Sequence, residues 1–112
     1  MRLIGDYISY IKDIRRYSAR TQAIYSDALK VFVEDCGAAT DEDLLKSLTP
    51  QIIRSHEVYL LEKREDSPRT VRLHLSELSG FCRYLRKEKR LTANPVRTVA
   101  KPKVEKRLAV CY

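Results

Sequence analysis

A chain of 112 residues, 44% apolar and 33% charged, is long enough to bury one core of its own without metal or disulfide help and too short for two domains. Three glycines, four prolines and no apolar run near 18 residues exclude fibrous, low-complexity and membrane-spanning classes. The net charge is +7, and it is unevenly held: residues 1–85 carry 13 Lys/Arg against 13 Asp/Glu, and residues 86–112 carry nine against two. A basic stretch of this kind fits a polyanion, nucleic acid first and an anionic membrane second, or a solubilising tail.

The N-terminus, "MRLIGDYISY", mixes polar and apolar residues too closely for a signal peptide. Ile4, Tyr7, Ile8, Ile11 and Ile14 then follow the spacing of one helix face. Ser18 can cap a second helix whose inner stripe is Tyr25, Ala28, Leu29, Phe32 and Cys36, and Gly37 suits a left-handed stop. Asp41, Glu42 and Asp43 lie in a loop in which Leu44, Leu45 and Leu48 suggest a short helical turn. Thr49-Pro50, a capping hydroxyl followed by proline at the first helical position, opens a third helix carrying Ile52, Ile53, His56, Tyr59 and Leu60.

Ser67-Pro68 repeats that signal and opens the longest helix. Along it, Val71, Leu75, Leu78, Phe81, Cys82 and Leu85 fill one sector, and Arg72, Ser76, Ser79, Arg83 and Arg86 fill another. After Arg90, Asn94-Pro95 and Lys101-Pro102 forbid a continuous helix. The chain from 91 to 112 therefore reads as an extended basic connector, ending in an apolar scrap, Leu108 to Cys111, that looks cut from something longer. No segment alternates with period two, so the expectation is all-α: four helices over roughly 6–37 (broken near Tyr17), 49–64 and 67–90.

Cys36, Cys82 and Cys111 are odd in number and far apart, with only His56 and His74 to join them. Neither a zinc site nor a disulfide framework is expected, and a reducing, cytoplasmic setting fits. His56 lies on an apolar face and reads as a core histidine; His74 sits at the edge of one. No phosphate loop, nucleophile elbow or metal spacing is present. Neither a catalytic residue nor a cofactor is expected.

Binding remains. "SART" at residues 18–21 and "SPRT" at 67–70 place the same Ser-x-Arg-Thr phrase at two helix starts. A first helical turn offers unpaired N–H groups and a positive dipole end, and an arginine there adds charge and forked hydrogen bonding toward phosphate. Plain capping explains the serines equally well. The positional expectation is that Arg20 and Arg69 lie on one side of the bundle.

The run Ser-x-x-Thr…Tyr…Leu…Phe…Cys-Gly over residues 18–37 resembles the N-terminal core-binding (SAM-like) domain of tyrosine recombinases, the Xer and phage-integrase superfamily. Asn94-Pro95, Lys101-Pro102-Lys103 and Lys106-Arg107-Leu108 are similar to that family's "NP … PK … RLP" exit toward its catalytic domain. The resemblance implies a four-helix orthogonal bundle at 1–90 and a basic linker at 91–112. It further implies double-stranded DNA as partner, gripped through the second and fourth helices of this pattern, with other protomers joining in a synaptic tetramer. Carried over by position, Arg20, Thr21, Arg69, Thr70, Arg72, Ser76 and Ser79 face DNA, and Lys101, Lys103, Lys106 and Arg107 track phosphates. The family's cleaving Arg/Lys/His/Arg cluster and Tyr belong to a C-terminal domain that this sequence does not contain, so the fragment is expected to bind DNA without cutting it, as a monomer. Leu73 and Ser79 stand where family members often carry basic residues, Glu77 where they carry a small one, and Ala109 replaces the family's usual proline. The alternative is a helical protein–protein module that touches no DNA.

Overall fold

The computed structural model describes residues 2–99. Five α-helices follow one another: α1 (Arg2–Asp13), α2 (Ala19–Cys36), α3 (Asp41–Ser47), α4 (Pro50–Glu62) and α5 (Pro68–Lys87), and a 3₁₀ turn (Pro95–Thr98) closes the described chain. No strand occurs among the described residues. The four helices expected from periodicity are α1, α2, α4 and α5; the suspected turn after Gly37 is α3.

Each boundary has a local cause. Ser18, Thr40, Thr49 and Ser67 all adopt extended backbone, and their hydroxyls accept from the N–H three residues on. Each bond satisfies one of the orphan donors of a helix start. Gly37 takes φ 72° and its N–H returns to the Val33 carbonyl, ending α2 as a left-handed C-cap. The carboxylates 41–43 do not lie in a loop. They form the first turn of α3, where they face its positive dipole end. Asp41 also accepts from the Leu3 N–H at 3.2 Å and so ties α3 to the start of α1.

α5 is the central element, packing on α2, α4 and the 3₁₀ turn, while α1 lies across α2. All six apolar positions of the α5 stripe, Val71 to Leu85, are fully buried, which the 100° spacing requires of a single core-facing sector. Phe32 and Phe81 are the largest fully buried side chains. Cys82 lies among them, and burial pushes its thiol up to about 12, so it packs as an inert apolar group.

Two expectations are corrected. Ile14, assigned to the inner face of α1, is 65% exposed, because α1 ends at Asp13 and the helical register no longer holds. Residues 91–99, the described part of the stretch expected to be extended, turn back: Asn94, Pro95, Val96 and Val99 are buried against the bundle. Asn94 makes this possible. Its amide donates to the Ser79 hydroxyl (2.9 Å) and accepts from the Val96 N–H (3.1 Å), capping the 3₁₀ turn onto α5.

Candidate nucleic-acid interface

The doubled phrase folds twice into the same object. At α2, the Thr21 N–H donates to Ser18 Oγ at 3.2 Å and the Ser18 hydroxyl donates to Thr21 Oγ1 at 3.0 Å. At α5, the corresponding distances for Thr70 and Ser67 are 3.2 Å and 3.1 Å. Thr21 and Thr70 thus first complete a cap, and each keeps its hydroxyl at the helix start. Arg20 and Arg69 are both exposed, and neither has an ion-pair partner among the described residues. The phrase combines a closed cap with an unneutralised guanidinium.

The two starts do not converge. Tyr25 of α2 meets Gly80 of α5, and Asp27 is felt by His74 and Glu77. Later residues of α2 therefore meet earlier residues of α5, and the helices pass in opposite senses. Arg69 lies 11 residues before Gly80, about 16 Å at 1.5 Å per residue. Arg20 lies beyond the opposite end of the contact. The two arginines therefore stand toward opposite ends of the α2–α5 pair.

Between them on α5, Arg72 and Ser76 are exposed. Ser79 is half-buried and its hydroxyl is held by Asn94, so it anchors the chain exit as well as lying in the polar sector. Lys101, Lys103, Lys106 and Arg107 lie outside the described residues.

The histidines sit deeper. His56 is fully buried, its Nδ1 2.8 Å from Asp35 Oδ2 and its ring edge-on to Phe32 at 5.0 Å. Burial pulls its pKa down against the opposing pull of Asp35, which makes it a core group as its sequence position indicates. His74 is half-buried and burial lowers its pKa as well.

Sequence reading did not find a tyrosine-walled pocket of about 220 Å³ where α1, α2 and α5 meet. Tyr7, Tyr10, Tyr17, Tyr25 and Tyr84 line it together with Arg15, Arg83 and Lys87. Lys87 Nζ stands 4.9 Å above the Tyr10 ring and the Arg15 guanidinium 5.5 Å above Tyr17. The helix-face positions of Tyr7 and Tyr25 suit packing residues, and Tyr7 is 3% exposed. Their convergence with Tyr17 and Tyr84 depends on helix crossings that spacing along one helix does not contain.

By sequence the chain is related to the tyrosine recombinases, as its motifs indicated. Among its relatives are proteins named tyrosine recombinase XerC: from Leptospira interrogans, 36% identical over 101 residues, covering 89% of this chain and 32% of that protein; from Methylobacterium nodulans, 31% over 107 residues, covering 91% and 32%; and from Bacillus pumilus, 30% over 109 residues, covering 96% and 34%. The chain spans about a third of the length of these curated relatives. No family model matches it, and no solved structure gives a significant match.

Proposed function

We propose that this chain is the DNA-binding, core-binding domain of a site-specific tyrosine recombinase, gripping duplex DNA through α2 and α5, the second and fourth helices of the sequence pattern. The observation that carries it is the repeated cap: two helix starts with the same hydroxyl closure, each with an exposed arginine that has no ion-pair partner among the described residues, in a chain related over 89% of its length to a tyrosine recombinase. In this reading Arg20, Thr21, Arg69 and Thr70 engage phosphates at opposite ends of the α2–α5 pair. Arg72, Ser76 and Ser79 lie along the groove between them, and Lys101, Lys103, Lys106 and Arg107 follow the backbone at the exit. A guanidinium such as that of Arg72 can read a guanine edge, whereas the cap contacts only position the domain. Strand breaking and rejoining would belong to a catalytic domain of the parent protein, in the cytoplasm and within a tetramer on paired sites.

The test is a titration of the 112-residue chain with duplex DNA over a range of salt. With ~4–6 phosphates contacted, log affinity should fall with log salt at a slope of about −4 to −5. A flat response would overturn the reading. The second reading, a protein–protein module, is favoured by Ile24 and Leu73, exposed at 45% and 56%. It predicts concentration-dependent dimerisation and no DNA shift even at low salt.

A further inference from the structure

Outside the proposed contact set, the tyrosine-walled pocket brings three cations to a concavity whose lining contains no carboxylate. None of Arg15, Arg83 and Lys87 is ion-paired among the described residues. Arg15 and Lys87 are steadied by ring faces, an arrangement that orients a cation without neutralising it. The nearest acids act on the walls and do not line the cavity: Glu77 on Tyr25, and Glu88 and Asp6 on Tyr84. Burial raises the pKa of Tyr7, with the Tyr25 and Tyr17 phenols adding to it. Burial first, then Tyr17, raises Tyr25 likewise. These phenols remain protonated donors at any physiological pH.

The site is therefore rich in N–H and O–H donors and in positive charge. At about 220 Å³ it is smaller than the roughly 300–1,000 Å³ of pockets for drug-sized ligands, which favours a compact anion over a whole nucleotide. Its floor depends on Gly80. A Cβ there would stand 3.0 Å from the Tyr7 hydroxyl and 3.4 Å from the Tyr25 ring. The pocket also adjoins the start of α2, since Tyr17 immediately precedes the capping Ser18.

We propose that this pocket is a phosphate seat in which Arg15, Arg83 and Lys87 supply charge and the tyrosine hydroxyls supply donors, taking a phosphodiester of the duplex engaged at the Ser18 cap. It rests on the DNA-binding reading for the source of its phosphate, though not for its chemistry. The seat extends the contact surface from α2 and α5 onto the end of α1.

Two titrations of the 112-residue chain separate the possibilities, one with duplex DNA across a salt range and one with inorganic pyrophosphate followed by tyrosine ring NMR signals. Arg83→Gln with Lys87→Gln should weaken duplex binding about 10-fold near 0.1 M salt and reduce the salt slope by about 1–2. The same pair should abolish pyrophosphate-induced shifts at the pocket tyrosines. Gly80→Ala, which leaves every charge in place, should diminish those shifts by crowding Tyr7. If duplex affinity and slope are unchanged in the double variant while Arg69→Gln weakens binding, the pocket proposal is overturned and the DNA reading stands. Pyrophosphate shifts without any effect on duplex binding would overturn the duplex as source and assign the seat to free phosphate compounds. A wild-type chain that binds no duplex overturns the DNA reading, and the pyrophosphate titration then decides the seat by itself; no shifts there overturns it too.

Discussion

Ser18 and Ser67 each hold a helix start through one backbone bond and one hydroxyl bond, in matching geometry. Replacing either by alanine removes an acceptor from an orphan N–H and should cost about 1 kcal/mol. Because the two caps lie at opposite ends of the α2–α5 pair, the double variant should lose about 2 kcal/mol, the sum of the singles. Urea unfolding measures this directly, and strong non-additivity would mean the caps are coupled. Glu77 behaves differently. Burial first, and then the Asp27 carboxylate, raise its pKa to about 7. A carboxyl whose folded pKa exceeds its unfolded value binds its proton more tightly when native. Its penalty is absent below the unfolded value near 4.5 and grows as pH rises through 7. Glu77 is half-buried, so screening by solvent reduces the effect to about 1 kcal/mol. Glu77→Gln should therefore raise the melting temperature by about 4 °C at pH 8 and leave it unchanged at pH 4.5. Equal shifts at both pH values would show that the carboxyl does not titrate as described.

At the scale of elements, the short 3₁₀ turn matters more than its length suggests. It buries Val96 and Val99 at 1% and 5% exposure, and it is fastened by a single buried amide, Asn94, which bridges Ser79 of α5 and the Val96 N–H. Asn94→Ala strands the Val96 N–H and should cost about 2 kcal/mol. The core of α5 does not depend on Asn94, so the helical signal should persist while trypsin cuts faster at Lys89 and Arg90. Unaltered cleavage would mean that Val96 and Val99 hold the turn without the amide. Asn94-Pro95 is legible in sequence as a helix stop and nothing more. Its service as a cap and tether needs Ser79 beside it, 15 residues away along the chain. The four longer helices, by contrast, are legible in sequence, while α3 reads only as a short turn in a loop. Ser-x-x-Thr and Thr-Pro signals and a 3.6-residue stripe are local facts, and α2, α4 and α5 begin at them.

For the whole molecule, the proposed DNA-binding reading draws on two distinct sources of affinity, the charge excess of residues 86–112 and the contact surface proposed on α2 and α5. Substituting Lys101, Lys103, Lys106 and Arg107 by Gln removes only the first. If the linker tracks phosphates, the salt slope in duplex titrations should fall by ~0.9 for each phosphate lost, while stability in urea stays the same. A slope that does not move would confine binding to the bundle.

The sequence by itself determined what depends on near neighbours: an all-α chain, its caps, the buried stripe of α5, the core histidine at position 56, and the motifs that tie it to tyrosine recombinases. Those features rest on hydrogen bonds and hydrophobic periodicity within a few residues, and both are written in consecutive letters. Only the tertiary structure decided how far apart Arg20 and Arg69 lie, that Asn94 folds the exit back onto Ser79, and that four tyrosines from three helices and Tyr17 from the α1–α2 connection line one pocket with three cations. These follow from the sense in which α2 passes α5 and from the missing Cβ at Gly80 that lets Tyr7 and Tyr25 close in. Helix crossings are set by packing across the core, between side chains dozens of residues apart, and no local pattern encodes them.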